Sequence, residues 1–175
     1  MERVTIVGPS GSGKSTLAKQ LGEAFELPVF HIDQLFFDPG WVEKSKEKLM
    51  GEVNGILDEN ECWIIEGNYG ITLPSRLSKS THVFFLDYPR RIYAHRVLKR
   101  LIRTYGKVRE DMAPGCPERI DLPFLKYVWN FKTQRRERLF KLVQSGLPID
   151  CKLIVFKHPK ECEQYLKDIE KARHR

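Results

Sequence analysis

Three observations in the sequence predict an α/β fold, a five-stranded parallel sheet with helices on both faces. Five short runs rich in β-branched and aromatic residues alternate with segments of helical periodicity. Strands joined through helices in this way pair in parallel. The first run leads into a glycine-rich loop, Gly8-Pro9-Ser10-Gly11-Ser12-Gly13-Lys14-Ser15-Thr16, which fits GxxxxGK[ST] and is followed by helical spacing. Two later runs end on an acid, Asp33 and Glu66, at the carboxyl strand ends where such sheets hold ligands.

Residues 4–7 read as a buried strand, and Leu17, Leu21, Ala24 and Phe25 recur on one face of the next helix. Between them the glycines let the backbone curl so that several N–H groups converge on phosphate oxygens. The helix N-terminus adds partial positive charge. In such a loop Lys14 reaches the β- and γ-phosphates and the Ser15 hydroxyl can ligate Mg²⁺. Pro28 restarts the chain, residues 29–32 form the second strand, and Asp33 ends it. The stretch 34–41 is aromatic for a loop; Phe36, Phe37 and Trp41 either line an acceptor pocket or pin the next helix to the core.

Residues 42–60 read as a helix interrupted by Gly51 and Gly55, with a solvated charged face. Residues 62–65 form the third strand, which runs into Glu66-Gly67-Asn68-Tyr69-Gly70; Arg76 follows Pro74. Residues 82–86 are the fourth strand, ending at Asp87. Residues 90–105 are helical and hold no acid, and Arg96, Arg100 and Arg103 share one face. Either a polyanion relieves their repulsion there or the face is simply solvated. Residues 106–121 break the period, carry Pro114, Gly115 and Pro117, and read as a short mobile lid. Repulsion of Arg109 and Arg119 from Arg100 and Arg103 would hold it open until a polyanion binds. Residues 122–144 read as one long helix bearing Lys132, Arg135, Arg136 and Arg138. Residues 152–156 are the last strand, Lys157-His158-Pro159 its exit loop, and 160–171 the closing helix.

The chain of 175 residues is long enough for a real core and is expected to form a single domain, 1–175. No apolar run approaches the roughly 20 residues of a membrane span, and the first strand begins at once, so neither a membrane anchor nor a signal peptide is expected. Cys62, Cys116, Cys151 and Cys162 form no CxxC pair, which suits free thiols in a reducing cytoplasm. The net charge of +7 fits either nucleic acid or a polyanionic nucleotide as ligand.

The pattern resembles the adenylate-kinase-like branch of the P-loop phosphotransferases over nearly the whole chain. The motifs GPSGSGKST, HIDQLFFDPGW, WIIEGNY, FLDYPR, RVLKR and REDMAPGCPERID are, more narrowly, similar to the bacterial DNA topology modulation proteins. The resemblance implies a P-loop NTPase three-layer sandwich of strand order 2-3-1-4-5. It implies that Arg96 lies by the ATP base and Arg100 by its phosphates, with Arg109 as the lid arginine. Arg135 or Arg136 would be the arginine of the helix after the lid, and His158 and Pro159 would pass beside the adenine. Asp33 and the Glu66-Gly67-Asn68 segment would face the acceptor and the water shell of Mg²⁺. The chain departs from adenylate kinases in carrying EGNYG where they have DGFPR, which removes the arginine for an acceptor phosphate; Arg76 is the candidate replacement.

The expected function is Mg²⁺-dependent transfer of the ATP γ-phosphoryl group to a small acceptor, by a monomer or homodimer. Lys14, Arg100, Arg109 and Arg135 or Arg136 would neutralise the transferring group. Asp33 is the first candidate for general base or ligand to a Mg²⁺-bound water, and Glu66 the second. Trp41, Glu66, Gly67, Asn68 and Arg76 would bind the acceptor. The alternatives are a nucleic-acid-binding NTPase acting on DNA topology and a nucleotide-gated regulator without turnover.

Overall fold

The structure, a computed structural model, describes residues 2–173. In chain order its elements are β1 (Arg3–Val7), α1 (Lys14–Phe25), β2 (Val29–His31), α2 (Ile32–Phe36), β3 (Phe37–Asp38), β4 (Val42–Glu43), α3 (Lys46–Glu59), β5 (Trp63–Glu66), α4 (Leu73–Lys79), β6 (His82–Leu86), α5 (Arg90–Thr104), α6 (Leu122–Gln134), α7 (Arg136–Gly146), β7 (Lys152–Phe156) and α8 (Pro159–Arg173). The main sheet is parallel, in the order β2-β5-β1-β6-β7. Counted along this sheet alone, that is 2-3-1-4-5.

Side chains alternate across the sheet, and both faces are covered. Val4, Ile6, Ile64 and Phe84 pack with Leu17 and Leu21 of α1, Val97 of α5 and Val128 of α6. Val83 and Phe85 face the other way, onto Leu73 and Leu77 of α4 and Leu139 and Val143 of α7. Trp63 and Ile65 pack on Leu49, Val53 and Leu57 of α3. Burial on both faces is why the strands read as continuous apolar runs rather than alternating ones.

Four local expectations change. Ile32 is fully buried against α3, and the chain turns helical there, so Asp33 sits in the first turn of α2 rather than at a strand end. Residues 42–60 are not one helix. Val42 and Glu43 pair antiparallel with Asp38 and Phe37, across a turn with Gly40 and Trp41 at positive φ. The helix starts only at Lys46, where the Ser45 hydroxyl accepts from Lys48 N at 3.2 Å. A short helix, α4, forms after Thr72 where only Arg76 stood out in the sequence. The long helix at 122–144 breaks at Arg135 (φ −125°, ψ −30°). Val128 packs into one side of the sheet and Leu139 and Val143 into the other, and a straight helix cannot serve both.

Residues 106–121 hold no helix or strand beyond an isolated bridge from Tyr105 to Glu118. Met112, Ala113 and Cys116 are buried against Phe37 and Trp41. Trp41 Nε1 donates to Pro117 O at 3.0 Å, and Gly40 N to Gly115 O at 2.9 Å. The segment is therefore moored to the β3–β4 hairpin. No helix among the described residues is long and apolar enough to cross a membrane, and the four cysteines are free thiols.

Candidate active site

The glycine loop packs against the end of β6 at Leu86 and against α5 at Tyr93 and Val97. Gly8 and Gly11 have φ of 149° and 81°. A Cβ on Gly8 would meet Leu86 O at 2.8 Å, and one on Gly11 would meet Tyr93 O at 2.5 Å, so only glycine fits. Asn68 clamps the start of the loop: Gly8 N donates to its Oδ1 at 3.0 Å, and its Nδ2 donates to Gly8 O at 2.8 Å. Helix α1 begins with no side-chain cap and no acid in its first turn. Among the described residues its first N–H groups find no acceptor, the arrangement that suits an anion. Among the described residues Lys14 Nζ reaches only Pro9 O, at 3.4 Å.

Behind the loop stand two acids with different surroundings. Glu66 is 4% exposed, and its Oε1 accepts from Ser15 Oγ at 3.0 Å and from His31 Nδ1 at 2.9 Å. Burial works against its ionisation, but the His31 bond, the Lys14 charge and the Ser15 hydroxyl outweigh that and hold it below the usual carboxylate range. His31 is pushed above its ordinary value: burial opposes this and Glu66 overcomes it. Asp33 Oδ1 accepts from Tyr69 OH at 2.8 Å. Burial, then the Glu66 charge, raises the Asp33 pKa, against the Tyr69 bond and the charges of Lys14 and Arg109. The Tyr69 phenol is raised as well, by burial and by Asp33. So Glu66 is the fixed anion that holds Ser15, and Asp33 is the readier proton acceptor.

The cations divide by what they already touch. Arg100 Nε and Arg109 Nε lie 3.3 and 2.7 Å from the same oxygen of Glu118, which is 5% exposed. Arg109 Nη1 donates to both oxygens of Asp111 at 2.8 Å. The expected repulsion between Arg109 and Arg100 is therefore opposed by two acids of the segment itself, Glu118 and Asp111. Arg96 donates to Ser12 O at 3.2 Å. Arg135 lies over the Tyr127 ring at 4.8 Å and Arg119 over Trp41 at 5.3 Å.

These groups line one open cleft of about 2410 Å³, well beyond the roughly 300–1,000 Å³ of a one-ligand pocket. The loop from Ser10 to Thr16 lines it, together with Asp33, Trp41, Glu66, Gly67, Asn68, Arg96, Arg100, Arg109, Arg135 and Pro159. Four expected residues do not line it. Gly8 is buried under the loop. Arg76 is fully buried behind the Glu66–Gly67 turn, where Nη1 donates to Gly67 O at 3.0 Å. Burial pulls its pKa down to about 9, and it cannot stand in for an acceptor arginine. Arg136 is turned to Asp87, with Nη2 at 2.7 Å, beside Lys132. His158 is exposed at the start of α8, accepting from Lys160 N at 3.2 Å. Sequence reasoning missed His31, Tyr69, Tyr127, Asp111 and Glu118. The last two fell in a stretch read for its basic residues, prolines and glycine, and not for its acids.

The sequence is similar to a cytidylate kinase from Clostridium perfringens (strain SM101 / Type A), 24% identical over 161 residues, 84% of this chain and 73% of that protein. No family model matches. In structure the chain is similar to shikimate kinase from Acinetobacter baumannii (TM-score 0.60, 14% identity, 98% of this chain and 92% of that one). Shikimate kinase from Bacteroides thetaiotaomicron gives a TM-score of 0.58 at 14% identity over 99% of both chains. A gluconokinase from Sinorhizobium meliloti gives 0.53 at 12% identity, over 96% and 89%. The chain has the fold of the P-loop kinases. In this P-loop kinase fold the glycine loop, the Ser15–Glu66 pair and Asp33 all stand at the carboxyl edge of the parallel sheet.

Proposed function

We propose that the protein transfers the γ-phosphoryl group of ATP to a small acceptor. The observation that carries this is the meeting, in one cleft, of the uncapped α1 N-terminus and Lys14 with the carboxylate of Asp33. The bare backbone donors and a lysine with no ion-pair partner among the described residues fit a polyphosphate. Mg²⁺ fits the oxygen donors beside them. Ser15, oriented by Glu66, would hold the ion. Among the described residues no three His, Cys, Asp or Glu side chains come together as a metal cage, and Mg²⁺ at phosphates keeps several waters in any case. When bound, Mg²⁺ would supply neutralising charge to the phosphate oxygens.

The chain's own residues do the rest. The loop N–H groups and Lys14 hold the phosphates, Arg100 and Arg109 face the transferring group, and Asp33 takes the acceptor proton. Arg100 and Arg109 turn into the cleft and are tied there to Glu118, which favours this reading over nucleic-acid binding. A single domain, a cytoplasmic setting and membership of the DNA topology modulation group are part of the proposal, the last on the motifs quoted above.

The test is ADP formation across a panel of nucleosides, nucleotides and small metabolites, in wild type and Lys14→Ala. Loss of the lysine should lower turnover at least about 100-fold with the melting temperature nearly unchanged. Near wild-type turnover in Lys14→Ala would reject the assignment.

A further inference from the structure

The outer face of α5 and α6 takes no part in the cleft. We propose that it docks the protein on a membrane surface rich in anionic phospholipid, with the two helices lying along that surface rather than crossing it. The inference goes beyond the phosphotransferase reading and does not depend on it.

The first argument is the apolar part of this face. Arg91, His95, Leu98 and Ile102 recur on α5 at steps of four, three and four, and Leu122, Lys126 and Trp129 on α6 at steps of four and three. Each set shares one side of its helix, and all of these residues are exposed. The two helices pack together. Arg90, at the start of α5, lies over the Trp129 ring at 5.1 Å. Tyr105, just past the end of α5, bridges to Glu118, shortly before α6. The helices therefore run antiparallel, with their exposed sides next to each other. Leu98 is 50% exposed, Ile102 82%, Leu122 73% and Trp129 53%. Single apolar side chains on a surface are ordinary, but four on one two-helix face, rimmed by polar groups, mark a docking surface. None of the four lines the cleft.

The second argument is charge. Neither α5 nor α6 contains an aspartate or a glutamate. Arg91, Lys99 and Arg103 of α5 and Lys126 of α6 are exposed and make no ion pair among the described residues. The acids of the chain that joins the helices near α6 are occupied. Glu118 lies between Arg100 and Arg109, and the Asp121 carboxylate accepts from Phe124 N at the start of α6. The face is cationic and apolar at once, the pattern of a helix that sits on a membrane.

The third argument decides the occupant. A second copy of the chain, docked through the same face, would set these cations against themselves. A nucleic acid would satisfy the cations through its phosphates but give Leu98, Ile102 and Leu122 no apolar partner. An anionic bilayer surface serves both. Aliphatic side chains enter the boundary between headgroups and acyl chains, lysine and arginine reach the lipid phosphates on their own stems, and tryptophan favours that depth. No helix among the described residues is long and apolar enough to cross a membrane, so the contact is confined to the surface.

The experiment is co-sedimentation of the full chain with vesicles of phosphatidylcholine alone and of phosphatidylcholine mixed with phosphatidylglycerol. Binding is expected to the mixed vesicles only, and should weaken as salt rises. Tryptophan emission should shift to the blue on binding. Trp129→Phe should abolish the shift, since Trp63 is buried and Trp41 half-buried. Lys99→Gln/Lys126→Gln should lower the partition coefficient about 25-fold, about fivefold for each basic group at an anionic surface. Lys46→Gln/Lys48→Gln on α3, a pair with the same net charge, should lower it less than about twofold, because screening confines the attraction to groups near the lipid. Ile102→Ser/Leu122→Ser should lower it at least about tenfold. These side chains are exposed, so the variants should melt close to wild type, and the wild-type vesicle and emission results stand independently of them. Equal binding to both kinds of vesicle, no binding to either, an emission shift that survives Trp129→Phe, or an equal loss in the two lysine pairs overturns the proposal. So does vesicle binding unchanged by Ile102→Ser/Leu122→Ser. Two other results would overturn it by giving the face to another occupant. A dimer that dissociates in Ile102→Ser/Leu122→Ser would assign it to a second copy. Duplex DNA binding lost in Lys99→Gln/Lys126→Gln, with no vesicle binding, would assign it to nucleic acid.

Discussion

Glu118→Gln is the change that tests most directly whether Arg100 and Arg109 await phosphate. Glu118 is 5% exposed, and one of its oxygens lies between the two Nε groups at 3.3 and 2.7 Å. Neither Nε has hydrogen-bonding geometry to it, so the contact is mainly one of charge. Glutamine keeps the shape and removes that charge. Arg100 is already pulled below its ordinary pKa, by burial and then by the charge of Arg109, and losing Glu118 leaves Asp111, bound to Arg109, as the nearer counter-charge to the two guanidinium groups. Removing one partner of a buried ion pair costs about 3–5 kcal/mol, and of an exposed one up to about 1 kcal/mol. The arginine side chains remain 25% and 17% exposed, which puts the loss between the two, at about 2 kcal/mol. For a chain of this size that lowers Tm by roughly 4–8 °C. A triphosphate seated between the arginines would supply the missing negative charge. The deficit should therefore shrink by about half with a saturating non-hydrolysable ATP analogue. The assay is a pair of thermal melts, with and without the analogue and Mg²⁺. An equal deficit in both would refute the reasoning, since it would mean that these arginines do not meet the phosphates.

Three further outcomes are expected. Asp87 is held below its usual pKa: burial opposes this, and Arg136 and Lys132 outweigh it. Its folded value lies below the unfolded value of about 3.9, so its stabilisation is complete above about pH 5 and lost as pH falls through the folded pKa. Asp87→Asn should accordingly cost about 2 kcal/mol in urea melts at pH 7 and progressively less below about pH 4; a constant difference down to pH 2 would contradict the ion pair. Gly67→Ala places a Cβ 2.8 Å from Ile32 Cβ at a φ of 134°, which should cost about 3 kcal/mol and push α2, with Asp33, out of line. A variant as stable and as active as wild type in melts and turnover would show that the turn is not constrained. Amide exchange in residues 106–121 should slow on nucleotide binding together with residues 37–43, because Trp41, Gly40 and Gly115 tie the two together. Protection of the first stretch alone would show that the mooring breaks when the segment moves.

The strands, the glycine loop and the helix behind it were legible because each is specified locally. Continuous apolar runs mark strands covered on both faces, and GxxxxGK[ST] carries its conformation in its own glycines. Asp33 and Glu66 stood out as acids following apolar runs. Their difference did not, since it depends on who sits beside each. Glu66 meets Ser15 and His31, and Asp33 meets Tyr69. The arginines were the least legible feature. Arg135 and Arg136 are adjacent in the chain, yet the break between α6 and α7 sends one to Tyr127 at the cleft and the other to Asp87.

What the sequence by itself determined was the alternation of strand and helix, the phosphate loop and the acid Glu66 at the end of β5. The physical reason is range: periodicity, glycine conformation and helix starts are set by neighbours within a few positions. The tertiary structure alone decided that Asn68 clamps Gly8 across 60 residues and that Glu66 reaches Ser15 across 51. It also decided that Glu118 sits between Arg100 and Arg109 while Arg119 and Arg135 lie over aromatic rings. A side chain's charge is written in the sequence; its counter-ion is chosen only when the chain closes on itself.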